Sequence, residues 1–180
     1  MYQALDVANY IVKVCNDKEK YLNVLKLQKI LYFVQAEFLV VKQKPCFLEN
    51  IEKSSFGPVV STVYQKYKVY TSNFPHNLRI GKIRISKEDK ELINKTVDEC
   101  LKYSSTALAD IIYHQEPWIK AYENQNKVIL NEDIKAFFEK QYVDTPIGKM
   151  RNSTSEEDKS VDQYIKSISK CTNVNFWDLL

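Results

Sequence analysis

The stretch "YHQEPWIKAYEN", residues 113–124, places His114, Glu116 and Trp118 within five positions of a chain that has only two histidines and two tryptophans. Imidazole is the side chain best suited to take and return a proton near neutrality. With Asp110 one helical turn earlier to orient it and Glu116 as a second carboxylate, His114 has the company of a general base. A base must act on something, however. The sequence contains no G-x-S-x-G elbow, no Gly-rich phosphate loop, no H-E-x-x-H and no cluster at metal-ligand spacing. The same residues also have ordinary uses: the imidazole bonds a backbone group or Asp110 near a helix end, Pro117 opens the next helix, and Trp118 buries its ring. The expectation is a non-enzyme with no catalytic residues, metal or cofactor, and a His-dependent enzyme is the remotest of the alternatives.

A second constellation is polar. Gln28, Tyr32 and Gln35 fall at i, i+4 and i+7, on one face of an otherwise apolar helical stretch. Buried amides and phenols require partners. Either they tie down an internal loop, such as the Phe56-Gly57-Pro58 corner, or they line a recognition groove with aromatic neighbours as anchors.

The elements that must position these groups are mostly helical. Ala4, Leu5, Ala8, Ile11, Val12 and Cys15 repeat at helical spacing, with Asn16-Asp17 closing the segment. In "NVLKLQKILYFVQAEFLVVKQ", Asn23 is placed to cap, and Val24, Leu27, Leu31, Val34, Phe38 and Val41 form one seam. Ile30, Phe33, Leu39 and Val40 make other faces apolar too, so this helix is expected to run through the middle of the domain. Gly57 and Pro58 predict a turn and a helical first turn, followed by the stripe Val60, Val63, Tyr64 and Tyr67. "LRIGKIRI" alternates with a parity break at Gly81, which suggests a small β element near residues 50–56 and 78–85. Ser86 and Asp89 resemble a capping box ahead of Leu92, Ile93, Val97, Cys100 and Leu101. A further helix from about Ser105 is expected to stop near Glu116, because Pro117 disfavours helical geometry in the residue before it. A short helix beginning at Pro117 puts Trp118 and Tyr122 on one face, and Asn131 caps the last core helix through Ile134, Phe137 and Phe138.

Beyond residue 143 the pattern changes. "TPIGKMRNSTSEEDKS" reads as a polar linker, followed by an amphipathic stripe of Val161, Tyr164, Ile165, Ile168 and Cys171 and by the apolar ending "NFWDLL". The expected organisation is a compact multi-helix domain over residues 1–143 and a linker with a C-terminal helical tail over 144–180.

Composition supports this class. Of the 180 residues, 44% are hydrophobic and only three are glycine, so the chain can bury roughly 70% of its unfolded surface without staples. Four cysteines stand far apart with no paired spacing, which argues against structural zinc and a disulfide framework. No apolar run approaches the ~18 residues of a membrane span, and no basic leader precedes an apolar core, so a cytoplasmic protein is expected. The net charge of +3 is uneven: residues 1–85 hold 13 Lys/Arg and 6 Asp/Glu. That half could attract an acidic partner, although its cations are scattered and no arginine cluster marks a nucleic-acid recognition helix.

Taken in order, "LKLQKILYFVQAEFL", "FGPVVSTVYQKYKVY", "HQEPWIKAYEN" and a final helix with "IKAFF" resemble the Panacea domain family, which includes SocA-type antitoxins and the phage-associated protein GepA. The resemblance covers roughly residues 3–140. It implies a mostly α, cytoplasmic bacterial or phage protein, encoded beside a toxin gene, that neutralises the toxin by direct protein binding. In the SocA-type branch it also implies an adaptor that delivers the toxin to an ATP-dependent protease. The hallmark positions it implies are Leu27, Lys29, Leu31, Tyr32 and Gln35, then Gly57, Pro58, Val59 and Tyr64, then His114, Pro117, Trp118 and Tyr122. The chain departs from the family pattern where Glu116 directly abuts Pro117 and where Phe56 replaces a more usual tyrosine.

Leu27, Leu31, Val59 and Trp118 are expected to be core. Gln28, Tyr32, Gln35 and His114 are the candidates for a shared core-proximal partner site, and Phe176 and Trp177 for a docking segment in the tail, the alternative being a C-terminal helix packed on its own domain. A DNA-binding regulator of phage or mobile-element origin is the alternative function.

Overall fold

The computed structural model describes the backbone of residues 1–76, 78, 81 and 83–144, and side chains of these up to residue 140. Seven helices and three short strands occur among them: α1 Ala4–Asp17, α2 Val24–Val41, β1 Ile51–Ser54, β2 Gly57–Val59, α3 Ser61–Tyr67, α4 Lys87–Leu101, α5 Ser105–Tyr113, α6 Glu116–Glu123, β3 Val128–Ile129 and α7 Asn131–Asp144.

Helix α2 is the axis. It packs against α1, α3, α4, α5, α7 and β2, as its nearly all-round apolar surface requires. Leu27, Ile30, Leu31 and Val34 are fully buried, and Val24 and Phe38 nearly so; at roughly 1.5–3 kcal/mol for each such side chain, this helix dominates the burial that holds the domain together. Asn23 caps it by accepting from Lys26 N at 2.8 Å. Ser86 does the same for α4, accepting from Asp89 N at 3.2 Å, so the N-terminal punctuation of both helices follows their sequences.

The β element is a three-stranded antiparallel sheet in the order β2-β1-β3. Strand β1 lies where a strand was expected, but its partners are β2, through Lys53 opposite Pro58, and β3, through Ile51 opposite Ile129. Leu78, Gly81 and Ile83–Ile85 belong to no strand. Both sides of β1 are thus paired, with a tight local hairpin and a return near residue 128, in place of the expected pairing with 78–85, of which Arg79, Ile80 and Lys82 lie outside the described residues.

That hairpin also moves Pro58. It lies in β2 and not in the first turn of a helix, and α3 starts three residues later at Ser61. Proline lacks an N–H, and β2 is an edge strand where that donor is not needed on the open side. Gly57 is the tight position of the hairpin, with φ +95°, a conformation open to glycine and strained for other residues. A Cβ there would also meet Lys29 Cε at 3.2 Å.

Helix α5 ends at Tyr113, earlier than Glu116. His114 closes it and Gln115 is extended, with ψ 139°. Pro117 is in the first turn of α6, so the break falls two residues before the proline. Trp118 and Tyr122 do not share one environment: Trp118 is 9% exposed and Tyr122 60%.

Candidate functional site

Four polar side chains of α2 hold the loops around it. Gln35, fully buried, is the best satisfied. Its Oε1 accepts from the backbone N–H of Cys46 at 3.0 Å and of Phe47 at 3.2 Å. Its Nε2 donates to Phe47 O at 3.4 Å and to Asn131 Oδ1 at 3.2 Å. One amide thereby fixes the loop after α2 and the start of α7. Asn131, expected as a cap, opens α7 and spends its side-chain oxygen on Gln35.

Tyr32 is also fully buried, and its hydroxyl donates to Gln115 Oε1 at 2.6 Å. Phe33 and Phe138 stack edge-on against its ring, at centroid separations of 5.4 and 6.2 Å. Gln28, one turn earlier on α2, accepts from Val60 N at 2.8 Å and so fixes the residue that precedes α3. The amide nitrogens of Gln28 and Gln115 have no hydrogen-bond partner among the described residues.

Lys29 is the least expected member. Its residue is 2% exposed, and its ammonium donates to the carbonyl of Phe56 at the tip of the β1–β2 hairpin. No carboxylate forms an ion pair with it among the described residues. Burial alone pushes its pKa down, from 10.5 to about 8, because a charged amine without a counter-charge is costly away from water. Ser54 Oγ completes the tip by donating to Gly57 O at 2.8 Å and accepting from Phe56 N at 3.1 Å. The Phe56 backbone is thus held at both its N–H and its carbonyl, and the residue is 53% exposed.

The α5–α6 corner is simpler. His114 Nδ1 lies 2.8 Å from Asp110 O and 3.8 Å from the Asp110 carboxylate. It bonds the last turn of its own helix, the ordinary use of a histidine at a helix end. Glu116 is engaged elsewhere, with Lys120 at 2.9 Å, and hydrogen bonding from that ammonium holds its carboxyl below the usual range. Trp118 packs on Tyr113 at 4.9 Å between ring centroids.

The structure therefore places Gln28, Tyr32 and Gln35 inside, at 1% exposure or less, and His114 at a half-buried corner beside Gln115. The first three are closed off from the surface, and each holds another segment of the chain. Leu27, Leu31, Val59 and Trp118 are core, as expected, and Pro117 is buried too. Phe176 and Trp177 lie outside the described residues. Sequence reading missed the burial of Lys29, the role of Gln115 as acceptor for Tyr32, and Phe56. A lysine between Gln28 and Ile30 on an all-round apolar helix was the available signal for the first.

A family model described as antitoxin SocA-like, Panacea domain, matches residues 27–119, just over half of the 180-residue chain. The match starts at Leu27 in α2 and ends at Ile119, directly after Trp118. It is narrower than the 3–140 resemblance and contains the α2 motif, the Gly57-Pro58 hairpin and the His114–Trp118 corner. No curated protein and no solved structure matches the chain.

Proposed function

Because the chain belongs to the antitoxin SocA-like, Panacea domain family, with a toxin-antitoxin role in general, we propose that it neutralises a cognate toxin, the product of an adjacent gene, by direct protein binding. The observation that carries this reading is the family match over residues 27–119, which contains the α2 motif, the Gly57-Pro58 hairpin and the His114–Trp118 corner. The use of the polar groups supports it: the side chains that resembled catalytic or groove-lining residues are spent on internal loops or on a helix end. An arrangement of that kind builds a shaped, stable surface, which is what a binding protein requires.

Within this reading Gln28, Tyr32 and Gln35 set the backbone of the hairpin, the 46–47 loop and the start of α7, and His114 braces the corner beside them. Variation on exposed parts then selects among toxins. Delivery to an ATP-dependent protease extends the same reading, with the antitoxin as the adaptor. Residues 1–143 form the binding domain, and 144–180 a linker and a tail whose Phe176 and Trp177 dock on the toxin.

The test is co-expression of this protein with the adjacent gene's product, scoring growth rescue and recovery of a complex together. Rescue with a stable complex is the expected result. Rescue without one points to an indirect route, and absence of both removes the reading and returns a DNA-binding regulator to consideration. A chain ending at residue 145 tests the tail: loss of rescue at an unchanged melting temperature is expected, and a lowered melting temperature assigns those residues to packing.

A further inference from the structure

We propose that Phe56 and Tyr122 are the centre of the surface that meets the toxin, and that the toxin supplies an apolar pocket with an acidic rim. This rests on the antitoxin reading.

Phe56 stands at the tip of the β1–β2 hairpin and is 53% exposed as a residue. An exposed loop tip is ordinarily among the least ordered parts of a domain. Here the backbone on both sides is fixed, by Ser54 Oγ to Phe56 N and Gly57 O, and by the Lys29 ammonium to Phe56 O. Gly57 adds a conformation that other residues adopt only with strain. Burying Lys29 with no carboxylate beside it among the described residues is unfavourable for the folded domain, and the one hydrogen bond it makes among them goes to this tip. The result is a ring presented to water from a fixed backbone. Aromatic anchors fixed before binding lose little freedom when they enter a pocket, and such residues dominate interface energetics.

Tyr122 extends the same surface. Lys53 of β1 reaches across to α6, donating to Ala121 O at 3.1 Å with its ammonium 4.8 Å from the centre of the Tyr122 ring. Gly57 lies against Tyr113, which stacks on Trp118 one turn before Tyr122. The hairpin and α6 therefore lie side by side, with Phe56 on one and Tyr122, 60% exposed, on the other.

The charge of the partner follows from Lys53. It has no carboxylate partner among the described residues, and two of its three N–H groups remain for an acceptor beyond the Ala121 carbonyl. An acidic rim around an apolar pocket complements that ammonium and the two exposed rings.

The experiment measures affinity of the full chain for the adjacent gene's product, in wild type and in Phe56→Ala, Tyr122→Ala and Lys53→Glu, alongside melting temperatures. Phe56→Ala is expected to weaken binding at least ~10-fold with an unchanged melting temperature, and Tyr122→Ala by a smaller factor. Lys53→Glu is expected to slow association and to reduce its dependence on salt. If Phe56→Ala and Tyr122→Ala both bind like wild type while wild type rescues growth and forms the complex, the proposed surface is wrong and the antitoxin reading stands. If Phe56→Ala lowers the melting temperature, Tyr122→Ala, on a separate element, decides. If wild type forms no complex, both this surface and direct binding are overturned.

Discussion

The polar face of α2 and the corner between α5 and α6 both carry groups capable of chemistry at suggestive spacing, and they differ in what surrounds them. On α2, Gln35 is enclosed and its amide makes four hydrogen bonds to two other segments. At the corner, His114 bonds a carbonyl four residues back in its own helix. A polar group that periodicity places on an apolar helix must find distant partners, because nothing nearby can satisfy it. A polar group beside a helix end finds one locally. Rarity of residue type drew the eye to the corner, whereas long-range structure depends on the face.

If that contrast is right, substitution at the two regions differs steeply. Gln35→Ala orphans two buried N–H groups and leaves a cavity, so a loss of about 4 kcal/mol is expected in chemical denaturation; a loss comparable to that of a surface residue would remove the distinction. Lys29→Met sharpens it through pH. The folded-state pKa of Lys29, about 8, lies below the 10.5 of a free lysine, so between these values the unfolded chain binds more protons and stability rises with pH. Relative to Lys29→Met, wild type should gain up to about 3 kcal/mol between pH 7.5 and 10.5. Other titrating groups are common to both proteins and cancel, and parallel curves would mean that the amine is not held away from water.

Tyr32→Phe removes one buried donor and leaves Gln115 Oε1 unpaired, with an expected loss of about 1.5 kcal/mol. At the other extreme, His114→Ala is expected to stay within about 0.5 kcal/mol of wild type. A larger loss at His114 would place the corner on a level with the α2 face. Loss of toxin binding in a folded Tyr32 or His114 variant would support the shared site, and intact folding and binding in both would rule it out.

The helices were largely legible because their signals are local. Asn23 and Ser86 act as caps where they were expected, and the seam from Val24 to Phe38 is buried. The small sheet was legible in one strand only. Lys53 opposite Pro58 and Ile51 opposite Ile129 depend on which segments return to β1, and alternation in "LRIGKIRI" does not distinguish a strand from an extended loop. Pro58 was misplaced for a related reason: proline fits a first helical turn and an edge strand equally well, and only the neighbouring strand decides.

By itself the sequence determined the helical class, the central place of α2, the family and the requirement that Gln28, Tyr32 and Gln35 find partners. Each follows from spacing along one chain or from a motif read in order. Only the tertiary structure decided who those partners are, that Lys29 is buried against the Phe56 carbonyl, and that Phe56 and Tyr122 remain in water while Trp118 does not. Hydrogen bonds such as Tyr32 to Gln115 join residues 83 positions apart, and whether a side chain is covered depends on the elements folded over it, which no local pattern records.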